Sequence, residues 1–270
     1  MLVEQAFMAL PERLAGDPYL PLTHEHGMLP AFMLGLLEEL NSRNVRNPAA
    51  ALCSEREYEP GNSRRADLYL DLAPLGVLNA ALQQYGFQVH NWIEAKFFRL
   101  NAAGDPSSNP SINTFRTLSD IIRLSTLVPV AHNPTVSRYF LHIYQNDPAQ
   151  HVVLNRNVAG APRAARDWLP ALWTPGISTV DIRSADSAAE PAGFDTHVGN
   201  ALRALDMTLT VKNWVLTPPS PKDPGFFCYL THILRGAASI QGHSFSFTET
   251  VHRDHTPNAT AQVRDIALNA

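Results

Sequence analysis

Residues 64–72, RRADLYLDL, alternate without a break. Asp67, Tyr69 and Asp71 fall on one side and Leu68, Leu70 and Leu72 on the other. That is the two-residue period of an extended strand, not the 3.6-residue period of a helix. Such a strand needs an apolar layer against its leucines and partner strands along its edges. A second stretch, HNWIEAKFFR over 90–99, sets a harder problem. Glu94 and Lys96 project to one side of a run that is otherwise apolar and aromatic.

The surrounding pattern supplies the layers. Residues 28–42 repeat Leu29, Met33, Leu36, Leu37 and Leu40 at helical spacing. Residues 50–58 read as a strand, with a turn at Pro60-Gly61-Asn62 before the alternating stretch. Residues 74–85 fit a short helix opened by Pro74, and 88–99 form the strand that holds Glu94. A polar loop over 101–111 leads to an amphipathic helix over 112–128 and a strand over 137–145. Helix, strand, strand, short helix, strand, helix, strand predicts an α/β core with a central mixed β-sheet flanked by helices. Further on, 155–195 is rich in Ala, Pro and Arg and reads as a linker or insertion. Residues 207–216 and 225–234 read as a hairpin, and a short strand is expected from Phe245. The expected division is a core over 1–150 and a C-terminal α+β extension over 151–270, as two units or as one compact domain. No internal repeat and no glycine-rich phosphate loop is present.

Composition narrows the class. Hydrophobic residues at 45% and charged residues at 17% exclude a disordered chain. No apolar run reaches the length of a membrane span, and the N-terminus lacks the basic-then-apolar order of a secretion signal. Cys53 and Cys228, far apart among apolar neighbours, read as free thiols. A cytoplasmic location is the expectation. The net charge of −4 does not advertise a nucleic-acid binder. Of the 21 basic residues only Lys96, Lys212 and Lys222 are lysines. Genomic base composition accounts for that bias, yet one of the three stands beside a glutamate inside a strand.

With the strands of Asp67 and Glu94 side by side, Asp67, Glu94 and Lys96 converge at one end of the sheet. Carboxylate oxygens suit Mg²⁺ or its substitute Mn²⁺, with the Ala95 backbone carbonyl as a further ligand. Such an ion polarises a phosphodiester and activates water, and a lysine nearby orients that water.

RRADLYLDL, NWIEAKFFR, NTFRTLSDIIRLSTL and RYFLHIY, in this order, resemble the PD-(D/E)XK nuclease superfamily over about residues 28–145. The resemblance implies a restriction-endonuclease-like core and a metal-dependent endonuclease acting on DNA, commonly as a homodimer. Asp67 then matches the metal-binding Asp, Glu94 the second acid and Lys96 the lysine. A glutamate from the first helix matches Glu38 or Glu39, with Glu39 preferred. Ala66 replaces the proline that names the motif. The extra segment between Asp67 and Glu94 leaves Asp71, on the same face, as a rival to Asp67; Asp67 is favoured.

Other readings stay open. Glu94 and Lys96 can instead form an ion pair on a half-solvated strand, making the chain a binding module on the same scaffold. His24 and His26, in THEH, resemble the first metal ligands of amidohydrolases, an alternative metal-dependent hydrolase without the later ligands or barrel units. His252 and His255 read as coincidence. Arg156, Arg163 and Arg166 with His151 form a basic stretch suited to phosphate contact or to solvent. Arg116, Asp120 and Arg123 share a helix face, either as mutual ion pairs or with Arg116 and Arg123 binding substrate phosphate. Trp92 reads as core.

Overall fold

The computed structural model describes residues 2–16, 25–61, 63–73, 88–129, 132, 136–156, 164–165, 168–183, 205–218, 225–240, 243–248 and 252–254. Three helices open the chain: α1 (Leu2–Met8), α2 (Leu10–Gly16) and α3 (Glu25–Ser42). An antiparallel meander follows, of β1 (Leu52–Glu57), β2 (Arg65–Asp71) and β3 (His90–Phe98). Helix α4 (Pro110–Thr126) then crosses over to β4 (Val136–Gln145), which runs parallel to β3 from His90 opposite Val136 to Phe98 opposite Tyr144. A parallel partner demands such a crossover. Local chemistry starts α4 in the right place: Pro110 takes the first turn and the Asn109 side chain accepts from the Ser111 backbone N–H at 2.9 Å.

The second half adds a short helix α5 (Trp168–Trp173) and strands β5 (Gly176–Ile182), β6 (Leu205–Leu216), β7 (Phe226–Ile240), β8 (His243–Thr248) and β9 (His252–Asp254). The hairpin expected from 207–216 and 225–234 is β6 and β7, paired antiparallel from Leu216 opposite Cys228 to Leu205 opposite Ile240. On its other edge β7 pairs with β4, Tyr139 opposite His232 through Gln145 opposite Phe226, and then with β8. All nine of these strands belong to one mixed sheet, ordered β1-β2-β3-β4-β7-β8-β9, with β6 beside β7 and β5 outside β6.

Side-chain alternation sends the sheet's two faces to two cores. Leu68, Leu70, Ile93, Phe97 and Leu141 pack with Phe7, Phe32 and Leu36 of α1 and α3. Tyr69, Trp92, Phe98, Phe140 and Tyr144 pack with Ile121, Ile122 and Leu124 of α4 and Trp168 and Leu172 of α5. The stretch 155–195, read as a linker or insertion, therefore contributes core through α5 and β5. Its Ala, Pro and Arg content masks Trp168, Leu169, Leu172, Val180 and Ile182, all buried. The helix expected over 74–85 lies outside the described residues. Both cysteines are free, and burial pushes the Cys228 thiol up to about 12. Among the described residues no helix is long and apolar enough to cross a membrane.

Candidate active site

The β2–β3 ladder runs from Asp71 opposite His90 to Leu68 opposite Ile93 and there it stops. Asp67 is the next residue, in register with Glu94. Beyond the ladder the Ala95 N–H donates to the carboxylate of Asp67, at 2.7 Å from Oδ2, in place of a backbone carbonyl. The Lys96 ammonium folds back over the same point. It donates to the Ala95 carbonyl at 3.0 Å and stands 3.8 Å from Asp67 Oδ2. Where the ladder ends, the Asp67 and Lys96 side chains thus come together around Ala95, next in the chain to Glu94.

Trp92, Glu94, Lys96 and Phe98 face α4, and that helix answers the charged pair with a pair of its own. Lys96 Nζ lies 3.1 Å from Asp120 Oδ2. Arg123 forms an ion pair with Asp120, one helical turn back, and its Nε lies 3.6 Å from Glu94 Oε1. The Tyr58 hydroxyl, just past β1, donates to Glu94 Oε1 at 2.7 Å. Glu94 is 1% exposed and Asp120 fully buried. Burial drives the Glu94 carboxyl up to about 8; Arg123 opposes the rise and Asp67 adds to it. Burial, with Glu94 beside it, raises the Tyr58 hydroxyl well above its ordinary range. Arg64 is lowered by burial and by Arg123.

Asp67 and Asp71, rivals on one strand face, come to different places. Asp71 sits at the far end of β2, accepting from the Ala73 N–H at 2.9 Å and lying 3.8 Å from His90 Nδ1. There a second, mostly aromatic group forms. His90 and His132 stack at 3.9 Å, the Tyr69 hydroxyl meets His90 Nδ1 at 2.7 Å, and Trp92 Nε1 donates to His132 Nδ1 at 3.1 Å. Burial lowers both histidines, His132 to about 4. A cavity of about 600 Å³, lined by Arg56, Glu57, Arg65, Tyr58, Trp92 and His132, shares Trp92 and His132 with this group and Tyr58 with the charged cluster.

Some expected site residues stand elsewhere. Glu39 belongs to α3, the helix layer on the opposite face from Glu94, and its carboxylate is taken by Arg43 at 2.6 Å. Glu38, on the same helix, is paired with Arg13. Arg123 joins the cluster, whereas Arg116 is exposed and outside it. His24, His255, Arg163 and Arg166 lie outside the described residues, and of His26, Arg156 and His252 only the backbone is described. His151 is buried, its Nε2 2.7 Å from the Gln145 carbonyl. Two members were missed as site residues. Tyr58 is 36 positions from Glu94 and carries no local signal. Asp120 does carry one: it interrupts the buried stripe Asn113, Thr117, Ile121 and Leu124 of α4, a place where an acid needs a partner.

The donor set has the chemistry of a hard-cation site: carboxylates from Asp67, Glu94 and Asp120 and the Ala95 carbonyl. Both Asp120 oxygens are buried without a well-directed hydrogen bond, held by the ion-pair contacts to Lys96 and Arg123. As the side chains stand, two cations are threaded between the acids, and among the described residues no three His, Cys, Asp or Glu side chains close on one point. Comparison with known protein families, with curated proteins and with solved structures finds no match.

Proposed function

We propose that this chain is a metal-dependent nuclease with a restriction-endonuclease-like core, hydrolysing phosphodiester bonds in DNA. One observation carries the reading. Asp67, Glu94 and Lys96 meet where β2 and β3 part, within an antiparallel meander followed by a crossover helix and a parallel strand. Asp67, Glu94 and the Ala95 carbonyl are the residues to hold Mg²⁺ or Mn²⁺, which when bound polarises the phosphodiester and makes water a nucleophile at neutral pH.

The chain's own groups do the rest. Tyr58 fixes the Glu94 carboxyl by its hydrogen bond, so that the oxygen facing the cluster does not turn away. Burial, against the pull of Arg123, keeps a proton on that carboxyl up to a pH of about 8 unless further positive charge is brought beside it. Lys96 orients the attacking water and offsets charge gathering on the phosphate. Arg123, which stands against Glu94 and Asp120 from α4, would take a phosphate oxygen. A homodimer cutting both strands belongs to this reading by analogy only.

The deciding assay is cleavage of plasmid and linear DNA with Mg²⁺ or Mn²⁺, with EDTA as control. Metal-dependent nicking that Asp67→Asn and Glu94→Ala each abolish is the expected result. Equal cutting by both variants overturns the site. A second reading has its own support: every charge in the cluster already faces an opposite charge, which suits a binding module with a structural ion network. DNA retained in a mobility-shift assay, with no cutting by the natural chain, favours that module.

A further inference from the structure

Lys96 stands at the centre of the cluster, and its surroundings are those of a bound cation. Oxygens from three elements stand against the ammonium: the Ala95 carbonyl at 3.0 Å, Asp120 Oδ2 at 3.1 Å and Asp67 Oδ2 at 3.8 Å. They are delivered by β3, α4 and β2, so only the tertiary fold assembles them. Two of the three are the atoms that the nuclease reading gives to the metal. The third belongs to a fully buried carboxylate without a well-directed hydrogen bond. Such a group is costly to keep unless a cation stands against it.

We propose that the Lys96 ammonium is a tethered substitute for the divalent ion, that Asp120 is the third carboxylate of the same site, and that metal binding expels Lys96 from it. The inference rests on the nuclease reading and adds an order of events to it. One ammonium and one divalent ion repel too strongly to share the same oxygens. The lysine is therefore sequestered while the site lacks metal and is released toward the scissile phosphate once it is loaded. Asp120 has the same two duties in turn: it holds the ammonium back, then helps hold the ion.

The test uses the full chain and exploits its poverty in lysine. Lys96, Lys212 and Lys222 are its only lysines, so reductive methylation is followed residue by residue by mass spectrometry. Saturation with Mg²⁺, established by calorimetry, is expected to speed modification of Lys96 at least about tenfold, with Lys212 and Lys222 unchanged. Lys96→Met, which keeps the buried stem, is expected to bind Mn²⁺ at least about tenfold tighter than the natural chain. Adding Asp120→Asn to Lys96→Met removes that gain, with circular dichroism to check the fold of each variant. Arg123→Gln removes an equal charge without emptying the oxygen cage and is expected to tighten Mn²⁺ binding far less.

Binding by Lys96→Met alone, with none by the natural chain, also supports the proposal. Metal binding with Lys96 still slow to react overturns it and leaves the nuclease reading in place. So does an Arg123→Gln gain equal to that of Lys96→Met, since net charge would then explain both. No binding of Mn²⁺ or Mg²⁺ by either the natural chain or Lys96→Met overturns the proposal and the nuclease reading together.

Discussion

The two faces of β3 are almost equally dry and chemically opposite. Toward α3 it presents Ile93, Ala95 and Phe97, hydrocarbon against hydrocarbon. Toward α4 it presents Trp92, Glu94, Lys96 and Phe98, with ions set among aromatic rings. The first face is explained by burial alone, at about 25 cal/mol per Å² of apolar surface. The second is not. A buried ion network is often replaceable by well-packed apolar residues at no loss of stability. Stability therefore accounts for the α3 face and leaves the α4 face to be explained by what its charges do.

Variants that separate the two faces put the contrast at risk. The largest effect is expected from Lys96→Met, which should lower the rate of DNA cleavage by at least about 10³-fold while moving the melting temperature less than a core truncation does; a plasmid-nicking time course beside a thermal melt reads both. Next comes a pair on one helix. Arg123→Ala should cost about 10²-fold in cleavage, and Arg116→Ala, exposed and outside the cluster, should stay within about threefold of the natural rate. Similar losses for the two arginines would dissolve the distinction between cluster and surface.

On the apolar face, Leu70→Ala should remove about 3 kcal/mol, a fall of about 10 °C in melting temperature, while cleavage well below the melt stays within about threefold of the natural rate. A cleavage loss as deep as that of Lys96→Met would show that the faces are not separable. The last effect concerns protons. In the metal-free protein Glu94 keeps its proton to about 8, whereas in the unfolded chain it ionises near its ordinary value of 4.5. Between those values unfolding releases a proton, so the group's contribution to stability falls as pH rises and levels off above about 8. Glu94→Gln, which still accepts from Tyr58, should match the natural chain near pH 4.5 and melt above it by a margin that widens with pH up to about 8. A constant difference across that window would mean that Glu94 is ionised in the folded protein.

How far these features were readable depended on their range in sequence. The period of RRADLYLDL gives β2 and its two faces at once, because alternation is a local property. The period of 112–128 gives α4 to within two residues at each end. The motif acids and lysine follow from the same alternation. The choice of Asp67 over Asp71 required the register, since both lie on one face and only the tertiary pairing says which of them meets Lys96. The preference for Glu39 failed for a related reason: a helix period tells which residues share a stripe, not which side of the sheet the helix covers. Tyr58 closed the stretch 50–58 read as a strand, and nothing local tied it to Glu94, 36 positions on. Asp120 was legible as an acid on the stripe of Asn113, Thr117, Ile121 and Leu124, but its partner on β3 was not.

β4 is almost wholly buried, and its outer edge is occupied by β7, a strand contributed from more than eighty residues further along. A fragment ending near residue 150 would keep every motif residue and yet expose that edge, with Phe140, Leu141 and Ile143 along it. Uncovered edges of this kind recruit other chains. The C-terminal half is thus a chaperone in cis for the strand beside the charged cluster. Supplied separately as its own polypeptide, it should rescue the solubility of the truncated core by occupying the edge of β4.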